Sequence, residues 1–529
     1  MQPERHADAS HNLGAMELAA GRVDASLPFF KAALEAAPHE ARYWLSYIGA
    51  LLQAGQYDDA RLVLSYGRDA GLSGPDVETL AAALDSRGAP PQSDSPPSSV
   101  EEELGNLFAG QRYDEMEQKI LDALRDFPRW LVGWQTLSDV YLIRGKDARP
   151  SAQRALALNP GDAKEHCYYG LVLKKQGDLK GAASAFSQAI TLKPDYAAAY
   201  NNLGIVEKDM GDVEAGLSHF RKALQLSPQY ADCFSNMLFC LSHSEKVDLA
   251  TLLAEHRRFG EQFETRFQAL WHKHANDRNP ARCLKVGFVS ADFREHSLAN
   301  FFEPVLGHLS HAPGLALHAY SVSSIADEVT RRLREKFQHW HDVERLSNEA
   351  LADQIRADRI DILVDLSGHT SGNRLLTFAM KPAPIQVSWL GYLFTTGMSA
   401  MDYYLADSFL LPPGKFDRQF TEKLVQLPAN APFVPSEAAP EVNALPALKN
   451  AYLTFACFNR PNKITAAVVA LWAKLLRALP DSRMLLGGMP QEGSYDTLIE
   501  WFAREGITRE RLIFHPRSSM ENYLKLHHE

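Results

Sequence analysis

His296 follows the apolar run LKVGFVS, and Lys463 follows the apolar run YLTFACF. An imidazole on a loop just past a strand can orient a hydroxyl or assist removal of its proton. An ammonium just ahead of a helix can converge on a phosphate together with the first amides of that helix. Neither residue type is specific by itself. One histidine among 19 is ordinarily structural or solvated, and a lysine at a helix start is ordinarily solvated. Asp365, at the end of IDILVDL, is either a functional carboxylate or a buried cap on loop amides. His339 with His341, and His527 with His528, have no third ligand close by in the sequence and read as surface histidines. The chain has no Asp-x-Asp triplet, no G-x-x-x-x-G-K-[ST] element and no C-x-x-C pair. Its five cysteines, Cys167, Cys233, Cys240, Cys283 and Cys457, read as free and mostly buried thiols.

The elements that would position these groups change character along the chain. From Leu284 short apolar runs alternate with helical stretches: LKVGFVS, ALHAYSV, IDILVDL and PIQVSWL. Past a Pro-rich stretch from Pro428 to Pro446 come YLTFACF, a helix around Ala466 to Leu479, RMLLGG and RLIFHP. Strands alternating with helices make parallel sheets, here two Rossmann-like lobes with a hinge. Ligands of such sheets sit at the carboxyl ends of strands, so the loops to inspect are Ser290 to Asn300, Ser367 to Asn373 and Asn459 to Thr465.

The first half repeats. Pro160, Pro194 and Pro228 are spaced by 34 residues, as are Gly170 with Gly204 and Gly177 with Gly211. Phe186 with Phe220, Ala189 with Ala223 and Leu192 with Leu226 keep the same interval, which is the tetratricopeptide period of paired helices. The 17-residue step between Gly and Pro recurs at Gly21, Pro38 and Gly55, and at Pro128 and Gly145. The Pro/Ser-rich segment Ser86 to Ser99 interrupts the array as a flexible insertion, and Val100 to Pro128 is degenerate, with Gly110 and Tyr113 matching Gly55 and Tyr57. Asn12, Asn202 and Asn236 fall at equivalent repeat positions. A ladder of their amides suits a groove that holds extended peptide backbone without reading its side chains, although such asparagines also serve simply to stabilise turns.

Composition bounds the functional classes. A chain of 529 residues with a formal net charge of −10 lacks the basic excess that phosphate backbones attract, which argues against a nucleic-acid partner. Residues Met1 to Ala20 contain no apolar core of signal-peptide length, and no later run is long enough for a membrane span. This reading places the protein in the cytoplasm.

Three segments carry a family resemblance: FVSADFREHSLANFF (Phe288 to Phe302), DLSGHTSGNRLLTFAMKPAPIQVSWLGY (Asp365 to Tyr392) and FACFNRPNKIT (Phe455 to Thr465). With repeats in front of them, the chain resembles the O-GlcNAc transferase/SPINDLY family, and the GHT and PAPIQV wording leans toward the SPINDLY side. The resemblance implies an all-α tetratricopeptide superhelix followed by a GT-B-type pair of Rossmann-like lobes, an α plus α/β architecture. It also implies inverting, metal-independent transfer of a sugar from a nucleotide-diphosphate donor to Ser or Thr of polypeptides, with no cofactor. UDP-GlcNAc and GDP-fucose stay open as donors. His296 matches the family's active-site histidine, its role as base left open, and Lys463 falls on the phosphate-binding lysine. His369, Thr370, Tyr392, Thr395, Thr396 and Asn459 are expected to line the cleft and contact sugar or acceptor, and protein acceptors to enter through the repeat groove.

Departures are expected to matter. Leu393 and Phe394 replace a proline-containing turn, Arg460-Pro461-Asn462 replaces a more neutral stretch, and Gly487-Gly488 stands where relatives often carry basic residues. The resemblance implies a strand, a Thr-rich phosphate loop and an acidic ribose contact beyond the equivalent of Tyr523 to His528. The reading therefore expects a second lobe truncated at the C-terminus. The resulting division is repeats over 1–85, a linker over 86–99, repeats and connecting helices over 100–280, the first lobe over 281–430, an interlobe linker over 431–450 and a partial second lobe over 451–529. A repeat scaffold carrying an inactive transferase remnant is the alternative.

Overall fold

The computed structural model describes residues 2–86, 94–269, 271, 273–279, 281–323, 325–434, 439–459, 463–489 and 495–529. Residues 87–93 of the Pro/Ser-rich insertion, part of the interlobe linker and the Arg460-Pro461-Asn462 triplet lie outside these residues. The chain divides into two compact units, Met1–Pro160 and Gly161–Glu529.

The first unit is helical: α1 (Gln2–Ala19), α2 (Val23–Ala36), α3 (Ala41–Gln53), α4 (Tyr57–Asp69), α5 (Pro75–Ser86), α6 (Ser98–Ala109), α7 (Tyr113–Asp126), α8 (Leu131–Ile143) and α9 (Arg149–Leu158). Gly21, Gly55 and Gly145 take the left-handed conformation that ends the first helix of a pair. In the degenerate repeat this position falls on Gln111, at φ 55°, and not on Gly110. The helix pair therefore survives with a residue that adopts the left-handed region at some cost. The indole N–H of Trp44 donates to the Pro38 carbonyl at 2.7 Å, and Trp134 repeats the bond to Pro128 at 2.9 Å.

The second unit opens with the same architecture: α10 (Ala163–Lys175), α11 (Leu179–Leu192), α12 (Ala197–Asp209), α13 (Val213–Leu226), α14 (Ala231–Leu241) and the longer α15 (Leu249–Gln268). Here the periodic residues have visible jobs. Gly177 and Gly211 end α10 and α12 at positive φ, and the next residues, Asp178 and Asp212, cap the following helices by accepting from Gly181 and Ala215 amides. A Cβ on Gly170 would lie 2.7 Å from the Phe186 ring, and one on Gly204 2.9 Å from Phe220. Glycine thus lets each fully buried phenylalanine close the gap between the helices of its pair.

Beyond the helices lie β1 (Leu284–Ser290), α16 (Ser297–Leu309), β2 (Leu315–Ser321), α17 (Glu328–Arg334), β3 (His339–Asp342), α18 (Asn348–Asp358), β4 (Ile362–Asp365), α19 (Leu375–Ala379), β5 (Ile385–Ser388), β6 (Tyr403–Asp407) and β7 (Lys423–Leu427). They form a seven-stranded sheet in the order β3-β2-β1-β4-β5-β6-β7. Every pairing is parallel. A second parallel sheet, β10-β9-β8, comes from α20 (Pro446–Asn450), β8 (Thr454–Cys457), α21 (Ala466–Ala478), β9 (Arg483–Met489), α22 (Asp496–Arg504), β10 (Leu512–Pro516) and α23 (Met520–Lys525). The two glycines of β9 have different reasons: a Cβ on Gly487 would come within 2.4 Å of the Phe458 ring, and Gly488 takes a positive φ of 72°.

One face of the large sheet shares an apolar core with the last repeat helices. Phe220, Phe234, Phe259 and Phe263 join Val289, Leu351, Phe378 and Tyr404 in a single buried cluster. Phe220 is fully buried. We expect Phe220→Ala to cost about 3–5 kcal/mol, read as an earlier urea midpoint. An unchanged midpoint would show that the sheet holds without this repeat.

Candidate active site

The loop after β1 is pinned from below and open above. Phe293 is fully buried and anchors it, the Asp292 amide donates to Ser290 Oγ, and the Glu295 amide donates to Asp327. This presents His296 as the N-cap of α16, where Nδ1 accepts from the Leu298 amide at 3.3 Å. Asp292 Oδ2 stands 3.5 Å from the same nitrogen. The two partners favour opposite tautomers. An amide holds Nδ1 bare, whereas the carboxylate favours a proton there and leaves the Nε2 lone pair to act as base. The His296 side chain is 31% exposed and that of Asp292 12%. Asp292 was missed in the sequence reading, and its four-residue offset from His296 was the available signal.

The loop after β4 is built from its carboxylate. Asp365 is buried and accepts from the amides of Ser367 at 3.0 Å and Gly368 at 2.8 Å, the amide-capping role weighed for it from the sequence. Burial pushes its pKa up to about 6, the backbone amides offsetting part of the rise. Gly368 and Gly391 permit the next two loops to interlock. A Cβ on Gly368 would lie 2.2 Å from Tyr392 Cβ, and one on Gly391 only 1.9 Å from the Leu366 carbonyl.

Four expected cleft residues are sealed inside the protein, and their assignment as direct sugar or acceptor contacts is corrected accordingly. His369 has no exposed surface; its Nε2–H donates to the Thr396 carbonyl at 2.9 Å and its Nδ1 accepts from Ser235 Oγ of α14 at 3.0 Å. Tyr392 OH lies 2.9 Å from His256 Nε2 of α15. Because His256 Nδ1 faces the Leu252 carbonyl at 2.7 Å, that nitrogen carries the proton and Tyr392 donates to Nε2. Thr395 Oγ1 donates to Glu422 at 2.6 Å, and Thr396 gives Glu422 both its amide, at 2.7 Å, and its hydroxyl. Both threonines are fully buried. The physical reasons are two: His369 and Tyr392 face the helices of the last repeats and bond to Ser235 and His256 there, whereas Thr395 and Thr396 close over the buried Glu422 just ahead of β7. His256, Glu264 and Glu422 were not singled out from the sequence. No local pattern in the sequence marks them, because the burial of these polar side chains comes from the packing of distant segments.

The remaining candidates stay accessible. Thr370 is partly exposed, its hydroxyl donating to the Ser367 carbonyl at 2.8 Å. Lys463 is exposed beside α21, whose N-cap Thr465 accepts from the Val468 amide. Its ammonium lies close enough to His243, beyond α14, to add to the depression of that imidazole, which burial causes in the main. Asn459 is exposed, and its amide leans on Cys457 Sγ at 3.7 Å. The structure thus places His296 and Lys463 at carboxyl ends of strands in two different sheets. In the repeats, Asn236 donates to Asn201 at 3.0 Å and Asn202 to Cys167 at 3.4 Å, linking neighbouring repeats. Asn12 is exposed on α1.

Comparison with known proteins agrees with this layout. Residues 230–439 match the model of glycosyl transferase family 41, and residues 17–84, 170–211 and 197–230 match tetratricopeptide-repeat models. The chain is 38% identical over 244 residues to the probable UDP-N-acetylglucosamine–peptide N-acetylglucosaminyltransferase SPINDLY of Arabidopsis thaliana, covering 45% of this chain and 26% of the relative. It is 32% identical over 241 residues to the probable enzyme SEC of the same plant, covering 44% and 24%. The match thus spans about a quarter of the length of these curated relatives. A mutant O-GlcNAc transferase of Thermobaculum terrenum superposes with a TM-score of 0.68 at 31% identity, covering 75% of this chain and 76% of the other.

Burial holds His256 down to about 4 and His369 well below the ordinary imidazole range, so both are neutral in the folded protein. A folded pKa below the unfolded value of 6.5 gives stability that is present above pH 6.5 and is lost as pH falls toward 4. We therefore expect the stability advantage of wild type over His256→Gln to shrink by roughly 1.4 kcal/mol per pH unit below 6.5. Urea unfolding of both proteins at pH 7 and pH 5 checks this, and a pH-independent difference would refute it.

Proposed function

Since the chain belongs to glycosyl transferase family 41, we propose that it transfers a sugar, GlcNAc or fucose, from a nucleoside-diphosphate donor to Ser or Thr hydroxyls of polypeptides, with inversion and without a metal. The observation that carries this reading is the placement of an accessible His296–Asp292 pair and an accessible Lys463 at carboxyl ends of strands in two parallel sheets. In the reaction the acceptor oxygen bonds to the anomeric carbon on the face opposite the diphosphate. The carbon–oxygen bond to the diphosphate breaks, and the hydroxyl proton leaves to a base. His296 is positioned to orient that hydroxyl or receive its proton, with Asp292 steadying the ring. Lys463 and the first amides of α21 offset the charge of the departing diphosphate. Thr370 and Asn459 are the remaining expected side chains with surface to offer sugar or acceptor. His369, Tyr392, Thr395 and Thr396 support the reaction by fixing the loops.

Protein acceptors approach through the repeats, where Asn12, Asn202 and Asn236 are the peptide contacts in this reading. No helix among the described residues is long and apolar enough to cross a membrane, and the cytoplasm is the proposed location.

Incubating the chain and a Ser/Thr-containing peptide with UDP-GlcNAc or GDP-fucose, in EDTA, identifies the donor. Mass gain on the peptide with one of the two is expected, and a strict requirement for added divalent metal would contradict the mechanism. Lys463→Ala should lower turnover by on the order of 100-fold or more while leaving the unfolding midpoint in place, because the side chain is exposed. Turnover within a few-fold of wild type would remove Lys463 from the mechanism.

A further inference from the structure

The sequence offered no third ligand for His339 and His341, but the fold supplies two. Parallel pairing sets His318 of β2 opposite His339 and Tyr320 opposite His341 at the sheet edge. The end of α18 brings Asp358 onto the same face. The donor atoms of His318, His341 and Asp358 all lie within 4.8 Å of one another. His318 is 3% exposed, and neither of its ring nitrogens has a hydrogen-bond partner. His341 Nε2 also lacks a hydrogen bond, standing 3.5 Å from Asp358 Oδ2. An imidazole buried this deeply normally finds a partner for at least one nitrogen, since leaving both bare forfeits the hydration of each.

We propose that His318, His341 and Asp358 form a binding site for one borderline transition-metal dication of the Zn²⁺ class. Two imidazoles and a carboxylate are the donor set that favours Zn²⁺, Co²⁺ or Ni²⁺ over Mg²⁺ or Ca²⁺. Bonds of about 2.0–2.2 Å to each donor require the three donors to close in from their present spacing and the near-parallel rings of His318 and His341, with centroids 6.0 Å apart, to turn toward a common point. The carboxylate is already oriented from outside. Tyr320 OH donates to Asp358 Oδ2 at 2.7 Å, and the Gln354 amide donates to both oxygens at 3.1 Å, as partners behind a metal ligand do. The Asp358 backbone carbonyl accepts from Lys285 Nζ at 2.8 Å, which leaves the carboxylate to the site. His339 is exposed, its ring centroid 4.2 Å from that of His318, and it or water completes the shell.

The site is separate from the proposed reaction centre. Asp358 ends the helix that leads into the amino end of β4, whereas His296 and Asp365 stand at carboxyl ends. A metal here would therefore fasten the edge strand β3 and the end of α18 to β2 and leave sugar transfer itself metal-independent.

The test is Co²⁺ titration of the full, chelator-treated chain, followed by visible absorption, with Zn²⁺ affinity measured by competition against a chromophoric chelator. One Co²⁺ per chain with intense tetrahedral-type bands is expected, displaced by one Zn²⁺. His341→Gln and Asp358→Asn, both at partly exposed positions, should each weaken binding by at least about 10-fold, with circular dichroism confirming the fold. His527→Gln/His528→Gln should leave binding unchanged. Zn²⁺ should raise the melting temperature of wild type and not that of His341→Gln/Asp358→Asn. Absence of stoichiometric Co²⁺ binding at micromolar concentration, or binding that persists in His341→Gln/Asp358→Asn, would overturn the proposal.

Discussion

The contact on which the second unit depends is the polar seam between α14–α15 and the loops that follow β4 and β5. His256, His369 and Tyr392 are buried there: the His369–Ser235 and Tyr392–His256 bonds cross the seam, and the second nitrogen of each imidazole is satisfied on its own side, by Leu252 within α15 and by Thr396 between the loops. A buried imidazole without its partners is expensive, so these loops have one well-satisfied conformation and it requires the helices to be present. Glycines tighten the same contact. A Cβ on Gly260 would lie 2.1 Å from the Gly397 carbonyl, and one on Gly397 1.9 Å from that of His256. Backbone meets backbone with no side chain to yield. Glu264 closes the lower edge, accepting from the amides of Ser399 and Ala400.

Accessible chemistry is then a matter of what this seam leaves uncovered. The β4 and β5 loops spend their polar side chains on rigidity, and the β1 loop, held by Phe293 and Asp327, is free to present His296. The division explains how one stretch of sequence can resemble a catalytic motif along its length while only some of its residues can touch a ligand. His369 and Thr370 are neighbours in the chain, yet one is sealed and the other is partly exposed.

Much of the architecture was legible because its causes are local. The 34-residue period reports glycine–phenylalanine packing and the Gly-Asp junction between helices, both confined to a single repeat. The strands read as apolar runs because both faces of a parallel sheet are covered. Three strands escaped notice. His339–Asp342 is polar because it is a sheet edge, and Tyr403–Asp407 and Lys423–Leu427 are short and only half buried. The partners of His369 and His341 were invisible for another reason: Ser235 lies 134 residues away from the first, and His318 reaches the second only through strand pairing. Spacing along the chain does not encode such meetings, whereas a resemblance carried His296 and Lys463 without explaining the environment of either.

The Gly260–Gly397 contact also bears on how such proteins can be assembled from parts. The segment matched by the family model begins at residue 230, just ahead of α14, so helices that look like the tail of a repeat array travel with the lobe. Repeats farther upstream keep the generic Gly, Phe and Asp pattern at their junctions, which any other unit of the same period could join. Recombination can therefore lengthen, shorten or exchange the upstream array while the final pair of helices is inherited as part of the lobe.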